Sequence, residues 1–285
     1  MCTTCGCSDG AKATVTNPDT GQTHPVEADH ERGHHHHGHD HGDHHHHHPA
    51  HHHHHGTPGP GHGATVSLEQ EVLAKNNRLA ERNRGWLEGR RILALNLVSS
   101  PGAGKTTLLE RTIGDFLGEV SISVVEGDQE TVFDAERIRA TGCATVQVNT
   151  GTGCHLEADM LARALEELDP PLDSLVMIEN VGNLVCPALF DLGERAKVAV
   201  LSVTEGADKP LKYPHMFRAS SLLIINKVDL LPYVEFDLDR CIEYARRVNP
   251  DIDVLALSAT RGTGLEDWYQ WLRERMADDR IEAVS

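Results

Sequence analysis

The chain has 285 residues, 39% of them apolar, and a formal net charge of −17 with histidine neutral. That acidic balance argues against general binding to nucleic acid or to anionic membranes. The seven cysteines are odd in number and unevenly spaced, with no signal peptide ahead of them. This argues against a disulfide framework and for a reducing, cytoplasmic setting, and no apolar run reaches the ~18–20 residues of a membrane span.

Residues 1–65 read as an unstructured arm. Gly, Pro, His and Asp dominate it and no apolar period runs through it. Ser67 with Gln70 resembles a capping box ahead of Leu68, Val72, Leu73 and Leu79, which predicts a helix to about Trp86 that ends near Gly89. Residues 66–285 then form one domain. Strand and helix signals alternate through it. Ile92–Val98 reads as a strand, Thr106–Leu117 as a helix, Val120–Val125 as a strand and Thr131–Ala140 as a helix. Ala144–Val148, Ser174–Ile178, Ala196–Val203, Ser221–Ile225 and Val254–Leu257 read as further strands. His155–Leu168, Asp239–Val248 and Leu265–Met276 read as helices. Such alternation predicts an α/β fold, a mostly parallel sheet with helices on both faces.

The first strand runs into Ser99-Ser100-Pro101-Gly102-Ala103-Gly104-Lys105-Thr106-Thr107. Gly104, Lys105 and Thr106 match the phosphate-loop pattern, and Ser99 stands where its first glycine is usual. At a helix N-terminus, the backbone amides of residues 102–106 can surround a β-phosphate. Lys105 can reach the β- and γ-phosphates, and Thr106 can hold Mg²⁺. Asn226-Lys227-Val228-Asp229 follows an apolar strand, and a carboxylate there accepts N1–H and the 2-amino group of guanine. Adenine has no such donor pair, so the motif selects GTP. Ser258-Ala259, after the last strand, sits where backbone amides can meet guanine O6. Glu126-Gly127-Asp128 and Glu179-Asn180-Val181-Gly182 end two other strands, and Asp128 or Glu179 can hold a Mg²⁺-bound water. No glutamine is placed to orient the attacking water, which implies slow intrinsic hydrolysis.

Two further features carry metal chemistry. Cys2, Cys5 and Cys7 lie within six residues. Three soft thiolates so close can wrap one Zn²⁺, Cu⁺ or Ni²⁺, and their spacing leaves the metal and its geometry open. Seventeen of the 21 histidines fall between His34 and His62, the composition of an exchangeable metal buffer. Cys154, His155 and Cys186 all fall at the carboxyl ends of predicted strands, where ligands bind in open α/β sheets, and can form a second metal site. Cys143, Cys241 and His215 read as packing or surface residues.

The Cys-x-x-Cys-Gly-Cys terminus, the histidine tract, Ser-Pro-Gly-Ala-Gly-Lys-Thr, Glu-Asn-Val-Gly-Asn-Leu-Val-Cys-Pro and Asn-Lys-Val-Asp together closely resemble the hydrogenase nickel-incorporation GTPase family, HypB. The resemblance covers essentially the whole chain. It implies a P-loop GTPase of the SIMIBI class that dimerises with GTP and helps deliver Ni²⁺ to the precursor of the [NiFe]-hydrogenase large subunit. It implies the small nickel chaperone HypA as a partner. It matches Cys2, Cys5 and Cys7 to the tight N-terminal nickel site. Cys154, His155 and Cys186 match a site in the GTPase domain that takes Ni²⁺ or Zn²⁺ and bridges subunits. Ser100 departs from the wider class, in which a signature lysine is common there. Two other readings are a urease nickel-insertion GTPase, which the Cys-rich terminus opposes, and a metal-storage protein with a regulatory nucleotide site.

Overall fold

A computed structural model describes residues 13–17, 20–26, 63–128 and 133–282. Its strands are β1 (Thr14–Asn17), β2 (Gln22–Pro25), β3 (Leu93–Ser99), β4 (Ile122–Asp128), β5 (Ala144–Asn149), β6 (Leu175–Glu179), β7 (Ala196–Ser202), β8 (Leu222–Asn226) and β9 (Asp253–Ala256). Its helices are α1 (Gly63–Gly89), α2 (Lys105–Asp115), α3 (Phe133–Arg139), α4 (Ala158–Leu168), α5 (Lys209–Lys212), α6 (Pro214–Ala219), α7 (Leu238–Val248) and α8 (Leu265–Glu282). Among the described residues, no helix is long and apolar enough to cross a membrane.

The strands form one nine-stranded sheet in the order β2-β1-β5-β4-β6-β3-β7-β8-β9. β3 to β9 are all parallel, as the strand–helix alternation predicts. Both faces are covered, so each inner strand is apolar on both sides. Leu93, Leu95 and Leu97 of β3 pack with Phe116, Ile138, Trp268 and Leu272 beneath α2, α3 and α8. Ala94 of β3 faces the other way, toward Leu87, Leu161 and Leu165 of α1 and α4. Val98 joins Met216, Phe217, Cys241 and Ala245 of α6 and α7. Burial pushes the Cys143 and Cys241 thiols up to about 12, and His215 is exposed. All three behave as the packing or surface residues expected.

Three elements differ from expectation. Two short stretches within the arm are paired: β1 (Thr14–Asn17) and β2 (Gln22–Pro25) are antiparallel to each other, and β1 pairs antiparallel with β5. Val15 explains the docking. It is 3% exposed, packed against Val146, Val148 and Leu161, and burial of a valine contributes about 1.5–3 kcal/mol. Asn17 Nδ2 adds a hydrogen bond of 2.7 Å to Glu167 Oε1 on α4. Secondly, α1 starts at Gly63, so Ser67 lies inside the helix rather than capping it. Its buried face is Asn76, Ala80, Asn83 and Leu87, while Val72 is 43% exposed. Thirdly, α4 starts at Ala158, which leaves Cys154 and His155 in the loop before it.

Candidate functional site

The carboxyl ends of β3, β4 and β6 enclose a cavity of about 450 Å³. Pro101, Gly102, Gly104, Lys105, Thr106 and Thr107 line it from the β3–α2 loop, and Glu126, Asp128 and Glu179 from the neighbouring strands. Gly104 occupies the N-cap of α2 at φ 99°. A Cβ there would lie 2.6 Å from Asn226 Nδ2, so both conformation and close approach require glycine. The helix begins at Lys105, and its first amides are left for an anion.

Lys105 is buried and its Nζ donates to Ser99 Oγ at 2.8 Å. Ser99, the departure from the usual loop pattern, therefore supplies the acceptor that parks this ammonium. Burial lowers the Lys105 pKa from its ordinary value, opposed by the charges of Glu179, Asp134, Glu126 and Asp128. Thr106 Oγ1 donates to Glu179 Oε1 at 2.8 Å. Two cations were not anticipated from the sequence. Arg137 of α3 lines the cavity and donates to Thr107 Oγ1 at 3.2 Å, and Lys209 Nζ donates to Ser100 Oγ at 3.1 Å.

The base-side residues converge on the same loop. Asn226 Nδ2 donates to the Ala103 carbonyl at 3.0 Å, and its Oδ1 accepts from Ala259 N at 3.1 Å. This one buried amide joins the phosphate loop, β8 and the Ser258-Ala259 segment. Lys227, at φ 64°, donates from Nζ to the Gly102 carbonyl at 2.6 Å. Asp229 lies on the 3₁₀ turn Val228–Tyr233, outside the residues lining the phosphate cavity. That turn is fixed by Val228 N donating to the Leu257 carbonyl at 3.2 Å.

The acidic wall crowds buried carboxyls together. Glu126 is 2% exposed and Glu179 4%, and neither Glu126 Oε2 nor Glu179 Oε2 has a hydrogen-bond partner. Burial pushes the Glu126 carboxyl up to about 9, reinforced by Glu179 and Asp128. Burial also pushes Glu179 up to about 7, against the Lys105 charge and the Thr106 hydrogen bond. Orphaned carboxylate oxygens beside a threonine hydroxyl are the hard donor set that suits Mg²⁺. A pH dependence follows. Both folded pKa values exceed the ordinary 4.5. Their contribution to stability is fully present below that value and is lost as pH rises through about 7 and then about 9. The ligand-free thermal midpoint is expected to fall between about pH 6 and pH 9, and to fall less in Glu126→Gln. Thermal unfolding across this range checks it; equal slopes in both chains would refute the assignment to Glu126.

Beside this cavity, Cys154, His155 and Cys186 come together with their ligand atoms all within 4.8 Å of one another. Cys154 Sγ is 3.0 Å from Cys186 Sγ and 3.8 Å from His155 Nδ1. His155 is buried against Phe190, ring centroids 4.0 Å apart. Its Nε2 has no hydrogen bond. Burial lowers its pKa to about 4, so the ring is neutral and ligand-competent near pH 7. Cys186 follows β6 on the segment that begins with Glu179. Gly182 on that segment presses on the phosphate loop, where a Cβ would lie 3.0 Å from Pro101 Cγ. Asn180 Oδ1 accepts from Leu156 N at 3.2 Å, and Asn183 Nδ2 donates to the Cys154 carbonyl at 3.3 Å.

α1 holds both loops that carry the Cys-His-Cys cluster, a role its sequence conceals. Asn76 Oδ1 accepts from Ala158 N at 2.9 Å and its Nδ2 donates to the Asp191 carbonyl at 2.7 Å. Asn83 Nδ2 donates to the carbonyls of Ala158 and Leu192 at 2.8 and 2.9 Å. The signal is a pair of buried asparagines at helical spacing, which a face drawn through apolar residues alone leaves out. Cys2, Cys5 and Cys7 lie outside the described residues.

Residues 93–256 match the CobW/HypB/UreG nucleotide-binding domain. The chain is 59% identical over 215 residues to the hydrogenase maturation factor HypB of Escherichia coli, covering 75% of this chain and 74% of that one. It is 44% identical over 317 residues to HypB of Cupriavidus necator, covering 95% and 88%. Among solved structures it resembles HypB of Archaeoglobus fulgidus, at 40% identity and a TM-score of 0.67, over 71% of this chain and 99% of that one. It also resembles HypB of Helicobacter pylori in complex with nickel, at 37% identity and a TM-score of 0.68, over 72% and 96%. A P-loop α/β domain, preceded by thiols and histidines and carrying a Cys-His-Cys cluster beside its phosphate cavity, thus belongs to the HypB hydrogenase maturation factors of the CobW/HypB/UreG family.

Proposed function

We propose that this chain is a GTP-hydrolysing nickel metallochaperone. It binds Ni²⁺ and delivers it to the large-subunit precursor of a [NiFe]-hydrogenase, with the nickel chaperone HypA as partner and a GTP-dependent homodimer as the acting form. The observation that carries this reading is the segment from Glu179 to Cys186. It forms a wall of the phosphate cavity at one end and carries a thiol ligand at the other. The nickel complex of the Helicobacter pylori relative supports Ni²⁺ as cargo; a Cys-His-Cys set also suits Zn²⁺.

In this reading the amides of residues 102–106 orient the phosphates, and Thr107 flanks them. Lys105 leaves Ser99 and neutralises charge that develops on the transferring phosphoryl. Thr106, Glu179 and Asp128 would hold Mg²⁺, which would supply charge neutralisation. Asp128 or Glu179 orients the attacking water. Asn226 and Lys227 brace the loop from the base side, and Asp229 reads guanine with Ser258 and Ala259 at O6.

GTP turnover, nickel content with and without a GTP analogue, and mass in solution test this directly. Catalysed GTP hydrolysis, bound Ni²⁺ and a heavier species with the analogue are expected. Absence of turnover would favour metal storage instead. Asp229→Asn is expected to weaken GTP by about 10²-fold or more and to favour xanthosine triphosphate, whose 2-oxo group suits an amide donor. Competition between the two nucleotides measures this, and an unchanged GTP preference would refute the base assignment.

A further inference from the structure

A buried polar chain runs from the wall of the phosphate cavity into the core. Asn96 sits in the middle of β3, between Leu95 and Leu97, and is fully buried. Its Nδ2 donates to Glu194 Oε1 at 3.0 Å, and its Oδ1 accepts from Asn180 Nδ2 at 3.2 Å. Asn180 Oδ1 in turn accepts from Leu156 N at 3.2 Å and from Val181 N at 3.0 Å. At the other end, Glu194 Oε2 accepts from Leu192 N at 2.7 Å. Lys197 is the register partner of Asn96 on β7. Its Nζ lies 3.3 Å from Glu194 Oε1 and donates to the Phe190 carbonyl at 2.9 Å. Asp191, held by Arg84 at 2.7 Å, also lies against Glu194. Asn180, Glu194 and Lys197 are buried like Asn96.

The order of donors and acceptors imposes a requirement. The chain begins and ends on backbone N–H groups that donate inward, Leu192 at one end, Leu156 with Val181 at the other. A side-chain amide linking two neighbours donates to one and accepts from the other. One link that accepts on both sides must therefore stand among them, and a carboxylate is such a link. Glu194 fills that place. Reversing either asparagine amide would set donor against donor in the core.

We propose that Glu194 and Asn96 are positioning residues for the GTPase reaction: through Asn96, the carboxylate fixes the Asn180 amide, and Asn180 holds the segment that walls the phosphate cavity. The proposal rests on the GTPase reading and deepens it. Asn180, Val181 and Gly182 line the cavity, whereas Asn96 and Glu194 lie outside its lining. Asn180 Oδ1 ties this segment, at Val181 N, to the loop before α4, at Leu156 N. Switch segments of GTPases are ordered by contacts that depend on the γ-phosphate. A segment already held in place loses less freedom when that phosphate arrives. The relay therefore acts on GTP and not on GDP, which lacks the γ-phosphate.

Moving the carboxylate along the relay tests this on the full chain. Glu194→Gln leaves no double acceptor, so a donor–donor contact must fall between Leu192 and Leu156. Affinity for a non-hydrolysable GTP analogue with Mg²⁺ is expected to fall about 10-fold, with GDP changed by less than about twofold. The double variant Asn96→Asp/Glu194→Gln restores one double acceptor, a single link away. The carboxylate at 96 accepts from Asn180 and from the amide at 194, which accepts from Leu192 N, and it remains beside Lys197. Its affinity for the analogue is expected to return to within about threefold of the parent. Asn96→Leu severs the relay while Glu194 keeps Leu192 N and Lys197, and it is expected to show the same selective loss. It carries the test if Glu194→Gln does not fold, which thermal unfolding checks. An unchanged ratio of GTP-analogue to GDP affinity would overturn the proposal. So would an equal loss of both nucleotides, the mark of a purely structural role, or a double variant no better than Glu194→Gln. Amide hydrogen exchange without nucleotide is expected to quicken at Leu156 and Val181 in Glu194→Gln and to recover in the double variant. That measurement decides whether the relay holds Asn180 even if the parent chain binds no GTP, a result that would defeat the GTPase reading instead.

Discussion

Lys105→Ala is expected to lower the kcat for GTP hydrolysis by about 10³-fold or more. The ammonium is the cation that the phosphate cavity buries most deeply, held at 2.8 Å from Ser99 Oγ. Its pKa is pulled down by burial, yet four carboxylates around it oppose that shift. Nucleotide phosphates in the cavity add charge of the same sign as those carboxylates. Lys105 is thus the group that follows charge as it builds on the transferring phosphoryl. Arg137 does not replace it, because Glu110 holds its guanidinium at 2.6 Å. The variant is expected to fold, since alanine removes a buried charge from the first turn of α2 without opening the sheet. Single-turnover hydrolysis separates chemistry from product release, and circular dichroism checks the fold. A folded variant that keeps turnover within tenfold would remove Lys105 from the chemistry. The same experiment on Ser99→Ala isolates the resting contact. Freeing the ammonium from its acceptor leaves the charge in place, so a change far smaller than that of Lys105→Ala is expected.

The parallel sheet and the phosphate loop were legible because each rests on local pattern. A strand buried on both faces, such as Leu93–Ser99, reads as an apolar run broken only at Asn96 and the terminal Ser99, and the phosphate loop through Gly104-Lys105-Thr106 follows it. Elements that take their stability from partners far along the chain were not legible. β1 offers one apolar residue, Val15, between the β-branched Thr14 and Thr16, a run too short to stand out as a strand. It exists because β5 would otherwise be an open edge with Val146 and Val148 beside it. The sequence does carry a local turn signal, Asn17-Pro18-Asp19-Thr20-Gly21, flanked by threonines and Val15. α1 misled for a related reason. Its apolar residues suggested a face through Val72, but the face it buries contains Asn76 and Asn83, whose amides satisfy the backbone of two loops. Truncating either would leave those groups unpaired at about 1–3 kcal/mol each.

Site residues show the same division. Cys154, His155 and Cys186 were placed at strand ends from the sequence, and the fold brings them together. Their second layer was invisible, because Asn180 and Asn183 act through backbone groups more than 20 positions away. From the sequence, Glu126 is only a strand-end carboxylate. Its raised pKa comes from burial beside Glu179, a proximity that depends on β4 lying next to β6.

Cys186→Ala is expected to weaken metal binding at the Cys-His-Cys cluster by more than about 100-fold, beyond the range typical of a change in outer-shell partners, and to remove its dependence on nucleotide. The argument runs along one backbone segment. Glu179 accepts from Thr106, Gly182 packs on Pro101, and Cys186 lies 3.0 Å from Cys154. A nucleotide that takes Thr106 from Glu179 therefore acts on the segment carrying Cys186. Through Asn180 and Asn183 the same segment also holds the backbone of Leu156 and Cys154. If nucleotide changes metal affinity in this way, metal must change nucleotide affinity by the same factor. A tenfold effect corresponds to about 1.4 kcal/mol, comparable with the rearrangement of one or two hydrogen bonds. The chain for this test carries Cys2→Ala, Cys5→Ala and Cys7→Ala rather than a deletion of residues 1–65. That deletion would strip β1 from β5 and disturb the loop under study. Histidine-tract sites are separated by their weaker affinity and by their loss below about pH 6, near the imidazole pKa of ~6.5. Nickel titrations with GDP and with a non-hydrolysable GTP analogue should give different affinities for the tightest remaining site, and GTP-analogue titrations with and without nickel should differ by the same factor. Equal affinities in the two nucleotide states would uncouple hydrolysis from this cluster, and metal release would then have to be driven from the arm or by a partner.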